Sequence, residues 1–263
     1  MYIIDFHAHI YPEKIALKAS AAIGAFYNVP IRYHGSISEL LASGSAIGVE
    51  RYIVHSTATK PEQVEAINNF IIGAIAKEPR FVGFGTMHPD FPGFARELER
   101  MAASGLRGVK LHPDFQKFTV DAPEMDEIYE CIAEKGMLVL FHAGDCRYDF
   151  SGPKRISHVL DKHPSLKVIA AHFGGYTEWK DSYEYLAGRD LWFDTSSTLW
   201  KLPKEKALKM IEKHGIHRFL FGSDFPMWDH AEELQRFLAL GLSEEDNRAI
   251  LYENASQLLQ PVE

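Results

Sequence analysis

An α/β chain wound as a (β/α)8 barrel, the TIM-barrel architecture, is what this sequence predicts. Three observations carry the prediction. Short runs rich in β-branched and aromatic residues recur eight times along the 263 residues. Several are apolar throughout, as parallel strands buried on both faces are. Between them lie amphipathic stretches with helical spacing, and this alternation points to one closed parallel barrel. A doubly wound open sheet is the alternative, but no glycine-rich nucleotide turn follows the first strand. No linker or low-complexity segment divides the chain, so residues 1–263 read as a single domain.

The first strand is YIIDF at the start, and an interval running from residue 10 to 50 separates it from the second, RYIVH from Arg51. That interval is far longer than one helix needs. Its middle, GAFYNVPIRYHGS, mixes aromatics with polar residues and a proline, and reads as a substrate lid or pocket wall in a long first βα loop. FVGFGT from Phe81 and RGVKLH from Arg107 are strands three and four. MLVLFHA, LKVIAAH, LWFDTS and RFLFGSD complete the set, starting at Met137, Leu166, Leu191 and Arg218. PEQVEAINNFIIGAIAKEP and DAPEMDEIYECIAEKG are the clearest helices, each stopped by a Gly or Pro. The last segment, LSEEDNRAILYENASQLL, has a Ser-x-x-Asp start and is expected to pack on the barrel as an extra C-terminal helix.

Composition narrows the function. A hydrophobic fraction of 46% with 24% charged residues suits an ordinary soluble protein. The net charge of −8 argues against a general affinity for nucleic acid or anionic membranes. No apolar run approaches the ~20 residues that span a bilayer, and no signal-like segment precedes the first strand. The two cysteines, Cys131 and Cys146, indicate no disulfide framework. The expectation is a cytoplasmic enzyme with a small-molecule substrate. The apolar outer helices are compatible with a homodimer.

The polar residues fall where barrel enzymes keep their chemistry. His7 and His9 end strand one, Lys110 and His112 strand four, His142 strand five, His172 strand six and Asp224 strand eight. All are carboxy-terminal strand ends. A lone strand-end histidine is an ordinary structural residue; coincidence across five strands is not. Three neutral imidazoles (His7, His9, His142) with the Asp224 carboxylate form a mixed nitrogen and oxygen donor set suited to zinc and able to hold other divalent ions. A further coordination position would hold water, its pKa lowered towards ~7. His172 is placed to act on that water or on substrate as general base, or electrostatically; its bland reading is a histidine that orients a ligand. Asp224 would both ligate the ion and move the water's proton. Lys110, His112 and Arg147 are candidate substrate contacts, with His55 at the end of strand two a further pocket candidate. Arg147 suits a planar carboxylate through its fork.

The motifs FHAH, GVKLHP, FHAG, AHFGG and GSDFP, in this order on these strands, resemble the amidohydrolase superfamily. The opening HAHIYP is similar to its amidohydrolase-related branch, which includes aminocarboxymuconate-semialdehyde decarboxylase, resorcylate-type decarboxylases and small-acid hydrolases. The resemblance implies one zinc held by His7, His9, His142 and Asp224, with His172 catalytic. It also implies a choice for Lys110. In two-metal members a carboxylated lysine at this strand end bridges two ions, and His142 and His172 would then bind the second. The lysine is otherwise a grip for a substrate carboxylate, or an ion-pair partner in the barrel mouth. The leading expectation is a metal-dependent hydrolase opening an amide, ester or lactone with metal-activated water. The alternative is non-oxidative decarboxylation of an aromatic or unsaturated acid. A TatD-like deoxyribonuclease is disfavoured, because Lys110 stands where those proteins carry a glutamate. A non-enzymatic barrel is disfavoured because no expected ligand is missing.

Overall fold

The computed structural model describes residues 2–260. Eight parallel strands stand in sequence order: β1 Ile3–His9, β2 Val49–His55, β3 Phe81–Thr86 and β4 Gly108–Leu111, then β5 Leu138–Phe141, β6 Lys167–Ala170, β7 Trp192–Asp194 and β8 Phe219–Leu220. Each expected strand is present. The barrel closes where the chain beyond β8 meets β1. Phe6 donates to Phe221 O at 2.8 Å, Asp224 N–H to His7 O at 2.8 Å, and His9 N–H to Phe225 O at 2.7 Å.

Side-chain parity divides the core in two. Ile4, Phe6, Ile53, Phe84, Leu138, Leu140, Ile169 and Leu220 fill the barrel interior. The alternate residues, Val54, Val109, Val139 and Val168 among them, pack outward against the surrounding helices. Gly108 is required by this packing, since a Cβ there would lie 2.6 Å from the Phe84 ring. Two positions further along the same face, Lys110 reaches the mouth. β1 departs from simple alternation. Its register against β2 breaks between Asp5 and Ala8, so Phe6 lines the interior and the next residue, His7, still turns into the mouth.

The long first loop folds as two helices, α1 Glu13–Tyr27 and α2 Ile37–Ser45. α2 begins with a capping box between Ser36 and Glu39. α1 ends with Asn28 in the left-handed conformation, its N–H on Gly24 O. The expected C-terminal helix is present but not continuous. Ser243 caps it by accepting from Asp246 N–H, and residues Ala249–Glu253 widen into a π turn before Asn254–Leu258. Within the wide turn the Ile250 carbonyl accepts from Phe221 N–H at 3.0 Å. Asn254 donates to Phe219 O at 2.7 Å, which ties this helix to β8. No helix among the described residues is long and apolar enough to cross a membrane.

Candidate metal centre

At the carboxy-terminal mouth one small cavity is lined by His7, His9, His112, His142, His172 and Asp224. Its elements are tied together by buried hydrogen bonds. Asp5 accepts from His7 N–H at 3.1 Å and from Ser223 N–H at 2.9 Å, locking β1 to the strand-eight loop that carries Asp224. The same carboxylate accepts from Ser223 Oγ at 2.6 Å and pairs with His230 Nε2 at 3.0 Å. Gln116, in the turn after β4, donates to Ala58 O at 2.9 Å and Met87 O at 2.7 Å and so aligns three neighbouring loops. His172 and Asp224 both have left-handed backbones, with φ of 61° and 57°. Such strain in non-glycine residues persists only where the surrounding structure over-determines it.

The donors converge. His7 Nε2 and His9 Nε2 lie 3.4 and 3.3 Å from Asp224 Oδ1. His142 Nδ1 and His172 Nε2 face each other at 3.0 Å. His7 Nδ1 sits 2.7 Å from Asp194 Oδ2, so it carries the proton and donates to the carboxylate, which leaves Nε2 with its lone pair towards the cavity. His172 Nδ1 is 3.1 Å from the Ser196 carbonyl, which selects the same tautomer there. Burial lowers the pKa of His7, His9, His142 and His172, with Lys110 adding to it at His7, so the imidazoles are neutral donors. Burial alone would raise the Asp224 carboxyl; His7, then the His9 hydrogen bond and His172, outweigh it and hold the group ionised. Neutral imidazoles, with the lone pairs of His7 and His172 turned inward, beside an ionised carboxylate are the donor chemistry a divalent ion needs, and the residues fit such an ion.

Lys110 is fully buried, and its ammonium donates to His7 Nε2 at 3.3 Å. Burial brings its pKa down to about 8. His112 lines the cavity and lies flat between two rings. Its centroid is 3.7 Å from Phe115 and 3.9 Å from His142, with interplanar angles of 11° and 6°. Arg147 is the predicted contact the structure places elsewhere. Its Nε and Nη2 donate to Asp145 at 2.9 and 2.6 Å, and its Nη1 to the Phe26 carbonyl at 2.5 Å. The reason is local: Asp145, two residues away, offers a buried carboxylate that matches the fork.

Three residues that the sequence reading passed over belong to the site. Asp194 ends β7 by the same strand-end rule, in a run, LWFDTS, whose residue pattern marks only the strand. Tyr27 closes α1, and its hydroxyl lies 3.0 Å from His112 Nε2 and 3.4 Å from His142 Nε2. Asp114 accepts from Ser151 Oγ at 2.6 Å, stands 3.9 Å from His142 Nε2 and leaves its Oδ1 without a partner. With Tyr27 in place the cavity measures about 20 Å³, room for about one water.

Residues 4–260 match the family model described as amidohydrolase. No curated protein matches the sequence. Among solved structures, 5-carboxyvanillate decarboxylase LigW from Sphingomonas paucimobilis superposes with a TM-score of 0.77 at 16% identity, covering 99% of each chain. A dihydroxybenzoic acid decarboxylase from Polaromonas sp. JS666, described with bound manganese and the inhibitor 2-nitroresorcinol, gives 0.73 at 20% identity over 97% of this chain and 96% of its own. A protein named as a candidate 2-pyrone-4,6-dicarboxylic acid hydrolase from Pseudomonas putida gives 0.70 at 20% identity, with coverage of 97% and 96%. Identities this low speak for the shared barrel.

Proposed function

The chain belongs to the amidohydrolase family, and from that premise we propose that it is a divalent-metal-dependent carboxy-lyase acting on a small aromatic or unsaturated acid. The observation that carries this reading is the face-to-face stack of Phe115, His112 and His142, which bounds the donor cluster with planar rings. A planar acid would lie against the edges of these rings with its carboxylate towards the ion and Lys110. The decarboxylases among the structural neighbours support the same reading over hydrolysis, the first expectation from sequence.

His7, His9, His142 and Asp224 would hold the ion. Zinc suits this donor set, and manganese is the ion described in one neighbour. When bound it supplies Lewis-acid polarisation of a substrate carboxylate or adjacent oxygen. The protein's own residues do the rest. Lys110 would donate a hydrogen bond to the substrate carboxylate from its buried position. The C–C bond to the carboxylate breaks, CO2 leaves, and a proton replaces it on the ring carbon. His172, through the Nε2 lone pair left by its bond to the Ser196 carbonyl, and the Asp224 carboxylate would take that proton from water and pass it to the carbon. Tyr27 and Phe115 line the cavity and would keep water from the bound acid.

Hydrolysis is the second reading, and one observation favours it. Lys110 Nζ lies 3.3 Å from a ligand nitrogen of His7, too close to a divalent ion for an ammonium to remain charged there. Its lowered pKa makes the free amine accessible, and that amine would combine with CO2 to a carbamate with release of one proton. The carbamate would bridge a first ion to a second held by His142 and His172. The two readings separate on one preparation. Metal is counted per chain, and the loaded protein is assayed with 2,6-dihydroxybenzoate and 5-carboxyvanillate. One ion with CO2 release supports the carboxy-lyase. Two ions, a 44-Da mass increment on Lys110 and no CO2 release would replace it with the hydrolase.

A further inference from the structure

His55, at the mouth end of β2, lies beside the donor set, and neither the donor set nor the proposed chemistry gives it a role. It is fully buried, yet neither ring nitrogen has a hydrogen-bond partner. Its neighbours differ in this respect. His7 is paired with Asp194, His9 with Asp224, His112 with Tyr27, and His142 and His172 with each other. A neutral imidazole always presents one N–H donor and one lone pair. Leaving both buried and unmet is a state folded proteins avoid unless something else satisfies them. The ring stands edge to face against both His7 and His9, with centroids 4.9 and 4.4 Å away at 70° and 85°. One nitrogen each from His7, His9 and His55 falls within a 4.8 Å span. Two ligands of one tetrahedral ion with ~2.1 Å bonds lie about 3.4 Å apart, so an inward shift of roughly 1.4 Å or less would bring the three together.

We propose that His55 is an additional imidazole ligand of the ion held by His7 and His9. This rests on the reading of the mouth as a metal centre, and adds to it a residue from β2 that the family resemblance does not place in the ligand set. The competing account is a purely structural ring whose N–H rests on the His9 π face, a contact that leaves the lone pair unmet all the same.

The test is His55→Leu, compared with wild type in three measurements. These are the Tm of metal-free protein, zinc affinity by competition with a chromophoric chelator, and the imidazole count from zinc X-ray absorption. The expected result is a metal-free Tm equal to or above wild type, since the substitution breaks no hydrogen bond. Zinc affinity should fall at least tenfold, with one imidazole fewer around the ion. His55→Gln, which keeps polarity and approximate size, carries the same comparison if the leucine variant does not fold. Unchanged zinc affinity and an unchanged imidazole count overturn the proposal, and a lowered metal-free Tm beside them assigns His55 a structural role. Wild-type protein that binds neither zinc nor manganese overturns the metal centre itself, an outcome visible before any variant is made.

Discussion

His7 reaches the cavity with its lone pair exposed because a carboxylate behind it, Asp194, takes the opposite proton. The same carboxylate also accepts from His172 N–H at 2.9 Å and from Ser196 Oγ, so one side chain orients a ligand and the loop bearing the candidate catalytic histidine. Asp194→Asn retains an acceptor but loses the charge that strengthens His7 as a donor. Zinc affinity should weaken about 10-fold to 100-fold, as measured by chelator competition. His172→Asn makes the opposite separation. Metal content should stay at one ion per chain while turnover falls about 100-fold or more, the scale of a lost proton-transfer group. Full activity in that variant would remove His172 from the mechanism, and lost metal would make it a ligand.

At the scale of elements, α1 decides access. Only Ala16 and Ser20 of its fifteen residues are buried. Its last turn is held by the Arg147 bond to the Phe26 carbonyl and by the Arg147 guanidinium 4.5 Å above the Phe26 ring. Small-molecule sites measure roughly 300 Å³ or more, far above the cavity left under Tyr27, so a substrate requires Tyr27, or the helix that carries it, to move. Arg147→Ala should speed hydrogen exchange of residues 13–27 about tenfold while the β-strands exchange as before. Equal exchange in both proteins would show that Arg147 does not latch the helix. Much of this arrangement was legible in the sequence and some was not, for physical reasons. Strands such as MLVLFHA announce themselves because burial on both faces demands unbroken apolar runs, and their ends then point to His142, His172 and Asp224. The long interval before β2 was visible as surplus length. That its Tyr27 would touch His112 and His142 was not, because the contact joins residues 85 and 115 positions apart. The break in β1 was likewise hidden. Simple alternation carries no sign of an irregularity that lets Phe6 and His7 both turn inward.

For the whole molecule, the histidine-rich design makes stability depend on pH. The mouth histidines are held neutral by burial, and bound metal adds to that demand. His214 lies away from the mouth and isolates the effect. It stacks on Phe193 at 4.0 Å and 16°, accepts from Gly188 N–H at 3.1 Å and leaves Nε2 without a partner. Burial, with Arg218 adding to it, lowers its pKa to about 4. The unfolded chain protonates this histidine near ~6.5. Because the folded pKa is the lower one, the unfolded state binds the extra proton first. Stability is therefore complete above about 6.5 and declines as pH falls towards 4, by about 3 kcal/mol for this group alone. His214→Phe keeps the stack on Phe193, gives up one hydrogen bond worth about 1 kcal/mol and removes the titration. Urea unfolding of metal-free protein at pH 7 and pH 4.5 checks the sign. Between those pH values the variant should lose about 2 kcal/mol less than wild type, although it is the less stable protein at pH 7. Equal losses would mean that protonated His214 is accommodated in the folded barrel, and that acid sensitivity resides in the mouth histidines alone.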